Sequence, residues 1–380
     1  MEKTRLIDPS FWQDHAPWPA GGRDPFGGWE RSCDELEGHV LFSTSGSTGT
    51  PQWVALSKDA LLVSAMAVNA HLKVRDMSCW GLALPLHHVG GFGVAARAYA
   101  ADCRLRVFDR RWDARAFAAW LDSEAVSHVS LVPTQVVDLT RAGLHAPRCL
   151  RAVVVGGGRL DDAQGRAARA LGWPVLASYG MTEACSQIAT QDMESLESAY
   201  LPTPLPLLPI WRAECDDGGR LRIAGPALFS GVVVPSADGW SYQKRPDAWY
   251  RTSDLAKLEG DMLTPLGRAD SFVKILGELV DPLEVERELA AGAENALVPG
   301  SFAVIVLPEP RAGSVLIPVF GKGIPLETGA HTVASYNAKA PGFRRLTKPV
   351  WLEALPVTEL GKIRRTELAA ILAATWPGPH

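Results

Sequence analysis

From His39 onward, apolar residues fall into short runs of strand length separated by segments with helical spacing. Residues 39–43 and 53–56 read as strands on either side of a polar, Gly-rich loop. Ser57 caps a helix to about residue 72, with Leu61, Leu62, Ala65 and Val68 at helical spacing. Residues 80–84, 105–108, 129–132 and 152–155 read as short, fully buried strands. Helical segments near 94–101, 113–122, 134–141 and 161–171 lie between them. This alternation predicts a mostly parallel sheet covered by helices. The first 36 residues carry little periodicity and read as irregular, with room for one short helix.

The texture changes after Tyr200. Residues 201–209 hold four prolines and exclude a regular helix. Residues 211–214 and 220–224 alternate around Asp217-Gly218-Gly219, and 255–258 and 262–265 flank Glu259-Gly260-Asp261, two hairpin signals. They predict an antiparallel barrel or small sheet beside the α/β core. Beyond Arg268, Asp281 caps a helix at 282–290. Strands at 302–307, 315–320 and 350–352, a helix near 331–339 and a last helix from 365 make a compact α+β unit.

At 380 residues the chain is long enough for two or three domains and a core that needs no disulfide or metal. Its formal charge of −4 offers no electrostatic footprint for nucleic acid. Six scattered cysteines without a C-x-x-C pair exclude a zinc ribbon and read as reduced thiols. There is no secretory signal pattern and no membrane-length apolar run, so the expected location is the cytoplasm.

The strongest chemical signal is Ser43-Thr44-Ser45-Gly46-Ser47-Thr48-Gly49-Thr50-Pro51 after a buried strand. Small residues let backbone N–H groups converge on an anion, and hydroxyls add donors. The alternative is a plain Ser/Thr/Gly turn. Further along come Ser178-Tyr179-Gly180-Met181-Thr182-Glu183, Tyr250-Arg251-Thr252-Ser253-Asp254, Gly267-Arg268-Ala269-Asp270 with Lys274 and Gly277, and Pro356-Val357-Thr358-Glu359-Leu360-Gly361-Lys362. Singly, each has a bland reading: Glu183 could cap a helix, Asp254 form a turn, Arg268 make a surface ion pair and Lys362 be solvated.

In this order and spacing, over residues 38–375, the set resembles the adenylate-forming superfamily of acyl-CoA synthetases, peptide-synthetase adenylation domains and luciferases. The resemblance implies a large N-terminal domain of mixed α/β sheets with an antiparallel β subdomain, residues 1–269, and a small mobile C-terminal α+β domain, residues 270–380. It implies that Thr44, Ser45, Gly46, Ser47, Thr48 and Gly49 handle the outer phosphates of ATP. Gly156, Gly157 and Gly158 would lie against adenine and Tyr179 would stack on its other face, with Gly180 and Met181 alongside. Thr182 would contact the α-phosphate, Glu183 would hold Mg²⁺, and Asp254, with Arg268 nearby, would accept the ribose hydroxyls. Asp270 resembles the hinge, and Lys362 the lysine that bridges the α-phosphate and the attacking carboxylate. Lys274 and Gly277 would border the thiol path for CoA. In Pro85-Leu86-His87-His88, the resemblance maps His88 to the gate between acid and nucleotide. Without it, a structural histidine pair is the commoner reading, and no third ligand suggests a metal.

Three positions depart from the pattern: Gln52 stands where a lysine is usual, Ser253 where glycine is usual, and Leu276 precedes Gly277. Lys58 is too far along its helix to replace the missing lysine. The first subdomain is expected to be reduced, because only about forty residues precede the phosphate loop. Among such enzymes the chain is most like o-succinylbenzoate–CoA ligases of menaquinone biosynthesis. The small residues of 90–94 leave room for an aromatic acid, and sequence picks out no partner for a second carboxylate. The expected partners are a small carboxylic acid, ATP and CoA, without nucleic acid or membrane; a homodimer is one option for its assembly. The alternatives are an adenylase that serves an amine or carrier protein, and a nucleotide-binding relative without activity.

Overall fold

The structure, a computed structural model, describes residues 6–20, 34–45, 51–236, 239–293, 297, 300–309, 311–358 and 361–375. It opens with a short helix α1 (Pro9–Gln13), capped by Asp8, and a two-residue strand β1 (Trp18–Pro19). β1 runs parallel to β2 (His39–Ser45), which pairs antiparallel with β3 (Pro51–Ser57). Ser57 caps helix α2 (Lys58–His71) as its pattern predicts, its hydroxyl accepting from the Ala60 amide at 3.1 Å.

The segment read as irregular has a packing role. Phe92 is fully buried and meets Phe11, Trp12, Trp18 and Phe42 at ring distances of 5.4–6.1 Å. Burying one such ring contributes about 1.5–3 kcal/mol. Lys58 is committed here: its ammonium donates to the carbonyls of Phe11 and Asp14 and lies 4.5 Å from the Phe11 ring centre.

The α/β core follows: β4 (Cys79–Leu82), α3 (Val89–Ala100), β5 (Arg104–Val107), α4 (Ala114–Ser123), β6 (His128–Leu131), α5 (Pro133–Arg141), β7 (Ala152–Val155), α6 (Asp162–Ala170), β8 (Val175–Met181) and β9 (Ser186–Thr190). The sheet order is β5-β4-β6-β7-β8-β9, parallel except for the β8–β9 pair. Every residue of β4, β6 and β7 is buried; β4 and β7 are apolar throughout, whereas β6 also buries the polar His128 and Ser130.

The strands that come next pair antiparallel. β10 (Leu205–Pro206), β11 (Arg212–Cys215), β12 (Arg220–Ala224), β15 (Tyr250–Glu259) and β16 (Met262–Arg268) form a small sheet in the open order β10-β16-β15-β12-β11. The hairpin of β13 (Gly231–Ser236) and β14 (Gly239–Lys244) adds to β3, completing the sheet β1-β2-β3-β13-β14.

Contacts group the chain into two compact units, Met1–Thr252 with Ala256–Pro265, and Ser253–Leu255 with Leu266–His380. The second unit contains the hairpin β17 (Val273–Ile275) and β18 (Glu278–Val280), α7 (Pro282–Ala291), β19 (Phe302–Glu309), β20 (Gly313–Gly321), α8 (Leu326–Lys339), β21 (Val350–Leu352) and α9 (Arg365–Thr375). Period-2 alternation splits its sheet cleanly. Phe302 and Val304 pack with Val285, Leu289 and Val333 on one face, while Ala303, Ile305 and Leu307 pack with Leu368 and Leu372 on the other.

Candidate active site

β7 and β8 are neighbouring parallel strands with Val155 paired to Ala177. The glycines Gly156–Gly158 therefore follow the carboxyl end of β7, and Ser178–Met181 form the carboxyl-terminal part of β8 beyond that pairing, on the side where open α/β sheets bind ligands. Gly157 has φ +73°. β8 bulges against β9 between Tyr179 and Gly180, and a Cβ on Gly180 would sit 1.6 Å from the Ser186 carbonyl oxygen. No other residue fits there without moving the backbone. The chain then enters the single turn Thr182–Ala184, with Cys185 at φ +51° and Ser186 at φ +106°, backbone strain of the kind stored at functional sites.

Glu183, in that turn, lines a cavity of about 470 Å³ together with Gln52, Phe229, Arg245 and Tyr250. Among the described residues no group of three His, Cys, Asp or Glu could enclose a metal. One carboxylate beside an open cavity still suits Mg²⁺, which is commonly held by one or two carboxylates, waters and substrate phosphates. Thr44 lies at the end of β2, its hydroxyl buried without a hydrogen-bond partner among the described residues. Ser45 is the last residue of β2. Gly46, Ser47, Thr48 and Gly49 lie outside the described residues.

His88 occupies the N-cap of α3 without a side-chain capping bond, its ring 4.4 Å from that of His87. A Cβ on Gly91 would meet the Pro85 carbonyl oxygen at 2.3 Å, so glycine lets the first turn of α3 close onto the Leu84-Pro85 backbone. Two turns further on stands Arg97, which sequence reasoning passed over. It is fully buried. Its guanidinium donates to the hydroxyls of Ser130 at 3.1 Å and Ser186 at 3.4 Å, and lies 5.1 Å from the Trp80 ring centre. Among the described residues it has no carboxylate partner, and burial pushes its pKa down to about 9. The signal was present in the sequence: one arginine inside the otherwise small and apolar Val89–Ala100. Ser186 joins this cation to the turn that carries Glu183.

The second compact unit holds the other expected residues. Asp254 lies on β15 and Arg268 at the end of β16. Lys362 sits in a tight turn where Thr358 donates its amide to the Lys362 carbonyl at 2.8 Å and accepts the Lys362 amide on its hydroxyl at 3.2 Å; Gly361 supplies φ +75°. Lys362 is solvent-exposed by area. Even so, surrounding protein lowers its pKa below the usual lysine value, and the Arg365 and Arg268 guanidiniums lower it further, while the Asp254 carboxylate opposes them. The structure thus places Lys362, Asp254 and Arg268 within electrostatic reach of one another. Lys274 lies on β17 and Gly277, at φ +89°, in the β17–β18 turn beside Leu276 at φ +53°; Asp270 falls in the single turn Ala269–Ser271.

Comparison with known proteins bears out the expected family. Residues 22–232, more than half of the chain, match the model of the AMP-binding enzyme family. A 2-succinylbenzoate–CoA ligase of Enterococcus faecalis is 27% identical over 86% of this chain and 68% of its own length. Ligases of the same name from Bacillus licheniformis and Staphylococcus aureus are 29% and 27% identical, and the chain covers 54% and 50% of them. The chain thus spans between half and about two thirds of these relatives. Among solved structures, o-succinylbenzoate CoA synthetase from Bacillus subtilis aligns with TM-score 0.70 in complex with its acyl-adenylate. The same enzyme aligns with TM-score 0.72 in complex with ATP and magnesium. Each match covers 87% of this chain, with 68% and 69% of the other, at 24% and 23% identity, and supports the fold expected from the sequence. With its parallel core, its Thr182–Ala184 turn followed by the strained Cys185 and Ser186, and a match over most of its larger unit, the chain belongs to the AMP-binding enzyme family.

Proposed function

We infer that the protein is an AMP-forming carboxylic acid–CoA ligase of the cytoplasm whose acid carries a second carboxylate, as o-succinylbenzoate does in menaquinone biosynthesis. An oxygen of the acid attacks the α-phosphorus of ATP, the bond to pyrophosphate breaks, and acyl-AMP forms. The CoA thiolate then attacks the acyl carbon and AMP leaves. Glu183 would hold Mg²⁺, which when bound offsets the charge of the phosphates. Lys362 would neutralise the two anions brought together in the first step, Thr182 would contact the α-phosphate and Asp254 would accept the ribose hydroxyls. Tyr179 and Gly156–Gly158 would flank adenine, His88 would stand between acid and nucleotide, and the Lys274–Gly277 hairpin would border the thiol.

The observation that carries the dicarboxylate reading is Arg97. A buried guanidinium held, among the described residues, by hydroxyls and a ring without a carboxylate is a costly arrangement, and a substrate carboxylate would complete it. Its helix begins at the His88 gate and its guanidinium reaches Ser186, beside the Glu183 turn. ATP–pyrophosphate exchange over a panel of aromatic mono- and dicarboxylic acids, with and without CoA, tests the reading. Exchange that is selective for the dicarboxylates, with AMP release dependent on CoA, is expected. Equal exchange with benzoate and o-succinylbenzoate overturns the substrate class. Selective exchange without CoA-dependent AMP release transfers the acyl group to an amine or carrier protein instead.

A further inference from the structure

Among the described residues, the cavity that contains Glu183 carries three basic side chains, Lys244, Arg245 and Arg251, against that one carboxylate. Their commitments differ. Arg251 is taken by Asp216, with Nη2 at 2.6 Å and Nε at 3.1 Å from the same carboxylate oxygen. Lys244 is exposed at the end of β14, and antiparallel pairing opposite Gly231 and Ala55 puts it on the opposite sheet face from Gln52. Arg245 follows one position later and returns to the face of Gln52 and Gln243.

Arg245 is also the best fixed of the three. Its backbone amide donates to the Ser230 carbonyl at 2.9 Å, and Ser230 in turn donates to Ala55 on β3 at 2.9 Å. Its Nε donates to the Phe229 carbonyl at 2.8 Å, while the Phe229 amide donates to the Glu183 carbonyl at 2.8 Å. A single residue, Phe229, therefore ties the guanidinium to the turn that carries Glu183. Both Nη groups of Arg245 have no protein partner among the described residues. The side chain is half-buried, with its guanidinium carbon 5.9 Å from the Phe229 ring centre.

We propose that Arg245 is the anion-binding residue for the outer phosphates of the nucleotide and for the departing pyrophosphate, supplying from β14 the positive charge that neutral Gln52 does not supply from β3. Arg245 lines this cavity and also the neighbouring one beside Trp211. A planar fork with its Nε already used has two Nη groups left to match two oxygens of one phosphate or of adjacent ones. The carboxylate side chain in the same cavity would share those phosphates through the cation it holds. The pre-formed Phe229 link keeps the guanidinium and the Glu183 turn in fixed register, so little ordering is left for the moment of binding. The inference rests on the ligase reading for the identity of the nucleotide, but not for the acid or for the acyl acceptor.

The test compares ATP, AMP and inorganic pyrophosphate as probes on the full chain by calorimetry. Arg245→Gln should weaken ATP and pyrophosphate binding about ten- to a hundredfold, the loss expected for charge-assisted hydrogen bonds, and leave AMP affinity unchanged. Arg245→Lys, which retains charge without the Nε bond to Phe229, should recover part of the ATP affinity. Gln52→Lys in the Arg245→Gln background should recover part of it from the other side of the cavity. Equal losses for ATP and AMP in a folded Arg245→Gln protein, or no recovery by either lysine, would make Arg245 a brace for Phe229 and overturn the proposal alone. Wild-type protein that binds neither ATP nor AMP overturns this proposal and the ligase reading together.

Discussion

Replacing Arg97 with methionine should make the protein more heat-stable and a worse enzyme for its dicarboxylic acid. Methionine fills similar volume with an adaptable apolar chain. The fall of the Arg97 pKa to about 9 reflects several kcal/mol of lost hydration, at about 1.4 kcal/mol per pKa unit, and the variant recovers it. Against this stand two hydroxyl hydrogen bonds to a charged group, about 1.5–3 kcal/mol each at most, and a cation–π contact of about 0.5–2 kcal/mol. The Ser130 and Ser186 hydroxyls can turn elsewhere, so the lost contacts count at the low end of their range, and about 5 kcal/mol recovered against about 3.5 lost leaves a gain of up to about 1.5 kcal/mol, in line with other buried charges replaced by apolar groups. At roughly 2–4 °C per kcal/mol for a unit of this size, the melting temperature should rise by up to about 6 °C. The acid loses a buried charge partner, which costs about 2–5 kcal/mol, so kcat/KM for o-succinylbenzoate should fall roughly thirty- to several-thousandfold while that for benzoate holds. Calorimetry and pyrophosphate exchange read both effects. A destabilised variant with unaltered acid preference would refute the reasoning and return Arg97 to a structural role.

Three further outcomes are expected. Because Lys362 has a lowered pKa in the free protein, the ammonium needed for adenylation is lost as pH rises through that lowered value. The alkaline limb of kcat/KM for acyl-AMP formation should therefore lie below the ordinary lysine range, and Lys362→Arg should move it upward; an unmoved limb counts against the assignment. Asp254→Ala should weaken ATP binding about ten- to a hundredfold and, by removing the carboxylate that opposes the lowering, shift the Lys362 limb further down; unchanged calorimetric affinity would sink the ribose role. Gly180→Ala, whose Cβ collides with the Ser186 carbonyl, should cost about 3 kcal/mol or more in urea unfolding and disturb the Glu183 turn, and a fully active, equally stable variant would contradict the bulge geometry.

Legibility from sequence followed burial. The fully buried strands β4 and β7 were readable as apolar runs, and the caps at Ser57 and Asp281 marked their helices directly. The β13–β14 hairpin escaped because its partner is β3, nearly 180 residues away, and long-range pairing leaves no local trace beyond alternation. The N-terminal aromatic residues gave no period because Phe11, Trp12 and Trp18 cluster on one another and on Phe92 of a later helix, a packing that no regular element of their own sets. The Glu183 turn was placed by its motif, whereas the reason for Gly180 emerged only with the carbonyl of Ser186 beside it.

The two arginines that matter most were both invisible as motifs, for opposite reasons. Arg97 is a charge in an apolar helix, a local inconsistency, and such conflicts between side chain and surroundings mark places where stability has yielded to function. Arg245 lies in a polar stretch, Gln243-Lys244-Arg245-Pro246, where one more cation conflicts with nothing. Its distinction comes from register: Ser230 fixes its backbone, Phe229 fixes its Nε, and Phe229 is itself bonded to the Glu183 turn. A residue of the first kind can be found by asking which side chain does not belong. One of the second kind requires knowing which three strands meet. The perturbations should differ accordingly: removing the misplaced charge of Arg97 releases stability, whereas Arg245, half-exposed and already satisfied through Nε, should change nucleotide affinity with little effect on melting temperature. Equal melting shifts for Arg97→Met and Arg245→Gln would show that burial does not separate the two roles.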